Sequence, residues 1–141
     1  MSATRSTGGG NERVARTCAW CGGAVVIEAI LYASYQGHDA SFHWFTHFFV
    51  GSAAALAIMA VVALRTNRPV PVPLLWPLLG HLYAMFPDFL FDAGVAHQRW
   101  MDVFLGHVAT HFVPGANLTW LVVFLVAAAV YLAAVDRVTA G

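Results

Sequence analysis

Two stretches of the sequence decide the fold: Phe48 to Leu64 (FFVGSAAALAIMAVVAL) and Leu118 to Val135 (LTWLVVFLVAAAVYLAAV). Neither contains a charged residue, and each is about as long as the roughly 17 to 25 apolar residues that cross a bilayer as a helix. Of all 141 residues, 60% are hydrophobic and only 10% are charged, whereas about a quarter of a soluble domain is charged. Such a chain cannot cover itself with polar surface. We therefore predict an all-α integral membrane protein.

Two further apolar segments complete a predicted bundle of about four transmembrane helices. One begins at Pro73 and contains His81 and Asp88, together with prolines that neighbouring helices must accommodate. The other carries Glu28 and is short, so it either spans the membrane or lies at the interface. The helical membrane domain is expected at residues 22–137, with spans at about 22–37, 42–64, 73–92 and 117–135.

Residues 1–21 are predicted to form a disordered cytoplasmic tail, because the first 17 residues are rich in Ser, Thr, Gly and Arg and hold almost nothing apolar. The tail ends in Cys18-Ala19-Trp20-Cys21. Two thiolates are half of a structural zinc site, and no second pair exists. A redox pair, an intermolecular half-site and two reduced thiols all remain open.

Arginines indicate the orientation of the bundle. If the first segment spans, the positive-inside rule places both termini in the cytoplasm of a bacterial-type plasma membrane. The net charge is zero and the chain has no lysine, which excludes the basic footprint of a nucleic-acid-binding protein. The expected partners are membrane lipids and further copies of the chain in a homo-oligomer, since Gly51 and Ala55 permit close helix approach. The arginines that support this orientation are Arg5, Arg13, Arg16, Arg65, Arg68 and Arg137.

Ionisable residues recur at helical spacing within the apolar segments. Asp39, His43 and His47 follow one another every four residues, which places them on one helix face. His81 and Asp88 are seven residues apart on the third span, with Asp92 one turn further. Between the third and fourth spans, residues 97–114 are expected to form a short outer-face or re-entrant helix, which adds His107 and His111.

In the four-span topology these groups meet in the outer half of the membrane. Charged residues in hydrocarbon are costly, so intramembrane ionisable residues are functional candidates by default. Imidazoles on one helix face bind a divalent metal, and nearby carboxylates balance its charge. Zinc is the first choice, and iron, manganese and copper are the alternatives. The predicted metal ligands are Asp39, His43, His47, His81, Asp88, His107 and His111.

The segment His43-Trp44-Phe45-Thr46-His47 leads directly into an apolar span and resembles the His-Arg-Gly-x-Thr-His-Ser signature of the LexA-regulated, membrane-bound metal-dependent hydrolase family. His43, Thr46 and His47 match in type and spacing, while the Arg-Gly and the final serine are absent. Gly80, His81 and Asp88 echo that family's second helix with a different spacing. The resemblance covers residues 43–92 and implies hydrolysis.

The sequence thus leads to three functional hypotheses. The first is a metal-dependent hydrolase that acts on a lipid-borne ester or phosphoester, with Asp88 or Asp92 as the general base. The second is a haem or electron-transfer protein in which His47 and either His81 or His107 are axial ligands. The third is an ion or metal transport subunit, since chains of Asp and His also mark ion pathways.

Overall fold

The computed structural model describes residues 8–35, 41–96 and 98–140. This part of the chain is all-helical, which confirms the all-α part of the predicted fold class. Helix α2 packs against both α3 and α4, whereas α1 contacts the other helices sparsely. The elements are α1 (Gly8–Tyr35), α2 (Ser41–Thr66), α3 (Leu75–Asp92), two short 3-10 helices (Arg99–Val103 and Ala109–Phe112) and α4 (Ala116–Ala140).

Three of the helices are long and apolar enough to cross a membrane, at Gly10–Ala33, Trp44–Thr66 and Asn117–Ala140. Their large apolar side chains are widely exposed on α1 and α4. A water-soluble protein rarely exposes such continuous apolar surface, whereas lipid chains cover it without cost. Helix α3 is shorter, with 18 residues, and is not one of the three. Its crossing of the membrane stays a prediction.

Helix α1 begins earlier than the sequence suggested. It starts at Gly8, so residues 8–21 are helical where we expected a disordered tail, and Cys18 and Cys21 lie within the helix. Glu12 and Arg16 stand one turn apart, a pairing that supports a helix locally. The apolar segment that follows continues the same helix to Tyr35. The tail prediction for residues 1–7 falls outside the described part of the chain.

Two glycines bring α2 and α3 into backbone contact. A Cβ placed on Gly51 would lie less than 3.0 Å from the carbonyl group of Gly80, and a Cβ on Gly80 would meet the carbonyl of Gly51. Ala55 packs on the same crossing point. The small residues that we had considered for dimerisation are therefore used inside the chain, as close helix crossings in membranes require.

Helices α2 and α4 share an apolar core at the opposite end of α2 from His47. Met59 and Ala63 are fully buried there and pack against Tyr131 and Ala134 of α4, with Val70 of the loop after α2 closing the cluster. Van der Waals contact of this kind is what holds helices together in lipid, where no hydrophobic force acts between them. The core therefore fixes α4 beside α2.

The segment between α3 and α4 contains two 3-10 helices where the sequence suggested one short helix. Leu105 and Gly106 separate them, and both residues adopt left-handed backbone angles, with φ of 56° and 69°. Two successive left-handed residues cannot continue a right-handed helix. The chain turns back at this point and brings the next residue, His107, against α3.

The helix crossing leads to the first prediction. Replacing Gly51 with alanine forces a methyl group into the backbone of α3, which cannot move aside as a flexible side chain can. We expect Gly51→Ala to lower the free energy of unfolding by about 1–3 kcal/mol. Unfolding in detergent micelles, followed by circular dichroism, measures the change.

Gly22→Ala is the matched control, because a Cβ at Gly22 of α1 meets nothing within 4 Å. Alanine also favours the helical state over glycine, so this variant should be at least as stable as the wild type. Equal stability of the two variants would show that the crossing is looser than described.

Candidate metal centre

Three side chains from three different segments meet inside the bundle. His47 lies on α2, Asp88 on α3 and His107 between the two 3-10 helices, with exposed fractions of only 1%, 8% and 2%. One nitrogen or oxygen atom from each lies within 4.8 Å of the corresponding atoms of the other two. We call these three residues the metal group. Among the described residues, no other set of three or more His, Cys, Asp or Glu side chains meets in this way.

The distances within the metal group suit a shared cation. Nε2 of His47 lies 3.3 Å from Oδ2 of Asp88, and Nε2 of His107 lies 3.3 Å from Oδ1 of Asp88. A charge-assisted hydrogen bond between nitrogen and carboxylate oxygen is shorter, at about 2.7–2.9 Å. Two ligand atoms bound at about 2.1 Å to a tetrahedral zinc ion are separated by roughly 3.4 Å. The spacing therefore suits two ligands of one metal, and it also lies within the range of a long contact between an imidazole and a carboxylate.

The tautomer of His107 is fixed by the backbone of α3. Its Nδ1 lies 3.1 Å from the carbonyl oxygen of Ala84. A carbonyl oxygen only accepts hydrogen bonds, so Nδ1 carries the proton and donates it. In the neutral ring, Nε2 then presents its lone pair to the metal group. A ligand histidine is commonly oriented in this way by a hydrogen bond from its other ring nitrogen.

A second carboxylate shapes the turn that carries His107. Oδ1 of Asp102 accepts hydrogen bonds from the backbone N–H groups of Val108 and Ala109, at 2.8 and 3.0 Å. The hydroxyl of Thr110 donates to the carbonyl oxygen of His107 at 3.0 Å. Together with the left-handed residues before it, these bonds hold His107 in one place without an α-helix.

The ring of His47 is held by packing. It stacks on the ring of His107, with centroids 4.4 Å apart and planes 7° from parallel. One residue earlier on α2, the hydroxyl of Thr46 donates to Oδ1 of Asn117, which ties α2 to the start of α4. The two imidazoles therefore lie side by side with both Nε2 atoms directed at Asp88.

Glu28 and His81 form a separate, partly buried pair. Nδ1 of His81 lies 2.8 Å from Oε2 of Glu28, and the ring of His81 is fully buried. Trp44 and Phe48 pack edge-on against this ring, with centroids 5.1 and 5.4 Å away. Nε2 of His81 and Oε1 of Glu28 have no hydrogen-bond partner among the described residues. This pair is a polar link between α1 and α3.

The structure thus brings together three of the seven predicted ligands. His81 and Asp88 share the buried face of α3, as expected, but His81 contacts Glu28 and lies outside the metal group. Asp92 is exposed at the last residue of α3. His43 and His111 lie on helices, but their side chains, like the whole of Asp39, fall outside what the structure describes.

Two polar contacts were missed by the sequence reasoning. A lone acid such as Glu28 in an apolar segment signals that some partner exists, but residue spacing does not identify His81 as that partner. Asp102 lies in the segment between α3 and α4 and carries no comparable signal. Its capping role depends on a turn that no periodic pattern reveals.

Comparisons with protein-family models, with characterised proteins and with solved structures give no match for this chain.

The pairing of Glu28 with His81 yields a second prediction. Glu28→Leu replaces the carboxylate with an apolar side chain that suits the segment. It leaves the Nδ1–H of His81 buried without an acceptor, which costs about 1–3 kcal/mol. We expect a corresponding loss of stability in detergent unfolding.

Glu12→Leu changes the same residue type in the same helix at an exposed position and serves as the control. It should leave the stability nearly unchanged. If Glu28→Leu behaves like Glu12→Leu, the pair contributes no net stability to the docking of α1.

Proposed function

We propose that this protein is a membrane-embedded, metal-dependent hydrolase that cleaves a lipid-borne ester or phosphoester. The observation that carries the proposal is the placement of two imidazole Nε2 atoms 3.3 Å from the Asp88 carboxylate, inside a bundle of membrane-length helices. A carboxylate so placed requires a compensating positive charge, because an uncompensated ion costs several kcal/mol in a low-dielectric interior.

The ligand set suits a catalytic metal. Structural zinc sites are closed by four protein ligands, whereas catalytic sites have three and keep a fourth position for water or substrate. Two histidines and one carboxylate are a known catalytic combination for zinc. Zinc is our first choice, and iron, manganese and copper are the alternatives. A metal in this position would lower the pKa of its bound water and polarise a carbonyl or phosphoryl oxygen.

The roles of the two aspartates follow from their surroundings. Both carboxylate oxygens of Asp88 face histidines, so we assign Asp88 to the metal and not to proton transfer. Asp92 lies one turn further along α3 and is exposed, which leaves it free to accept a proton from an entering water molecule. We therefore propose Asp92 as the general base.

The depth of the site indicates the substrate. In the topology with both termini in the cytoplasm, the metal group lies in the outer half of the membrane, near the start of α2 and the end of α3. A soluble substrate would have to leave water to reach it, whereas a lipid is already there. This position favours a lipid-borne ester or phosphoester.

The described geometry does not favour the other two functions. A haem between His47 and His107 requires a gap for the macrocycle, but their rings are stacked at 4.4 Å. The ring of His81, the other candidate axial ligand, is packed against Trp44 and Phe48. An ion pathway requires polar side chains along the whole bundle. Glu28 and His81 lie beside the start of α2, but the described core around Met59 and Ala63 offers only the hydroxyl of Tyr131. Metal-dependent hydrolysis requires no rearrangement of the metal group.

The third prediction concerns metal content. Protein purified without a histidine tag should contain about one equivalent of a divalent metal, and Asp88→Asn should lose it. Losing even an orienting contact of a metal ligand costs about 10-fold to 100-fold in affinity, and losing a ligand should cost at least as much. Inductively coupled plasma mass spectrometry provides the measurement.

Asp92→Asn is the matched control, since it makes the same change one turn away on the same helix. It should retain the metal. If the wild-type protein contains no metal after loading with zinc, iron, manganese or copper, the metal site and the proposed function are both wrong.

The fourth prediction concerns the reaction. In phospholipid vesicles, the protein should hydrolyse a fluorogenic long-chain ester or phosphoester, and a chelator should abolish the activity until metal is restored. His107→Ala should lower the rate by about 100-fold, because the loss removes a ligand and its orienting bond. A rate that survives both the chelator and His107→Ala would belong to a contaminant.

A further inference from the structure

A large apolar cavity lies along α2, on the side of α4. Its volume is about 750 Å³, within the range of about 300–1,000 Å³ that is typical of ligand sites. Its walls come from Thr17 of α1, Phe48 and Leu56 of α2, the proline-rich segment 69–74, Pro77 of α3 and the face of α4 from Phe124 to Val135. The metal group takes no part in its lining.

The lining chemistry indicates an apolar occupant. No charged residue lines the cavity, and Thr17 and Tyr131 provide the only hydroxyl groups among the described residues that do. The remaining lining residues are Ala, Leu, Val, Phe and Pro. A ligand held here gains from burial of hydrocarbon and finds almost no hydrogen-bond partners.

The length of the cavity matches one lipid chain. Phe124 and Val135 lie at its two ends on α4, eleven residues apart, which corresponds to about 16 Å along the helix axis. The hydrocarbon core of a bilayer is about 30 Å thick, so the chains of one leaflet extend over about half of that. A single acyl chain therefore fits the cavity end to end.

One end of the cavity lies beside the polar centres. Phe48 lines the cavity and directly follows the metal-group residue His47 in α2. The ring of Phe48 also packs on Phe124 of α4 and on the ring of His81, with centroids 5.8 and 5.4 Å away. An occupant of the cavity would thus extend from the level of the metal group towards the end of α2 at Thr66.

From these observations we propose that the cavity binds one long acyl chain of the substrate lipid, with the scissile ester or phosphoester at the metal group. This inference rests on the proposed function for the position of the head group. The binding of the chain itself depends only on the shape and chemistry of the cavity. The occupant is an acyl chain of a membrane lipid.

The test uses the full chain in phosphatidylcholine vesicles with a small fraction of phosphatidylglycerol whose palmitoyl chain carries a terminal diazirine. Illumination links the chain end covalently to nearby residues, and mass spectrometry of peptides locates the adducts. We expect adducts at the far end of the cavity, around Leu132 and Val135. Ala128→Phe fills the cavity and should reduce their yield roughly tenfold, the loss expected when about two methylene groups are no longer buried.

Ala129→Phe is the matched control, because Ala129 is the next residue of α4, is exposed and does not line the cavity. Its adduct yield should equal that of the wild type. A second pair of variants covers the case in which Ala128→Phe misfolds. Leu132→Trp narrows the cavity from an exposed position and should also lower the adduct yield. Val130→Trp places the same side chain on the outer face and should leave the yield unchanged.

Adducts spread evenly over the exposed face of α4, or equal yields from Ala128→Phe and Ala129→Phe, would overturn the proposal. An absence of adducts around Leu132 and Val135 would also overturn it, since a second copy of the chain that occupied the cavity would exclude the lipid. Failure of the proposed function is separable, because labelling requires neither metal nor turnover. Specific adducts in a protein that takes up no divalent metal on loading would support the chain site and reject the hydrolase.

Discussion

The carboxylate of Asp88 sets the constraint on which the rest of the bundle depends. A buried negative charge between lipid-facing helices is tolerated only when positive charge or strong donors surround it. Here the surroundings come from two imidazoles on two different segments. Helix α2 must approach α3 closely to bring His47 into reach, and the glycine crossing at Gly51 and Gly80 allows that approach. The chain after α3 must also turn back, which the left-handed residues before His107 achieve.

The sequence was most informative where one segment alone decides the outcome. The long apolar runs of α2 and α4 required membrane-length helices, because their length and lack of charge leave few alternatives. The spacing of His81 and Asp88 correctly placed both on one face of α3, since helical periodicity is a local property. Contacts between segments were harder to predict from the sequence. His81 pairs with Glu28 and not with the metal group, and this choice depends on how α1 crosses α3.

His107 illustrates the same limit within one segment. Its spacing to His111 would place both on one face of an α-helix, but residues 99–112 form two 3-10 helices with a turn between them. The glycine that precedes His107 was a visible signal of a break, because glycine readily adopts left-handed angles. Leu105 adopts such an angle as well, although a leucine side chain does not predict it. The hydrogen bonds from the backbone to Asp102 stabilise a turn that propensity alone does not favour.

His107 and His81 are oriented by hydrogen-bond partners of different chemical kinds. Ala84 offers His107 a carbonyl oxygen, which fixes a proton on Nδ1 and leaves Nε2 directed at Asp88. Glu28 offers His81 a carboxylate, whose Oε2 lies 2.8 Å from Nδ1 of the ring. The charge of Asp88 is therefore compensated where His47 and His107 approach it, in the group of three side chains that could hold a metal ion.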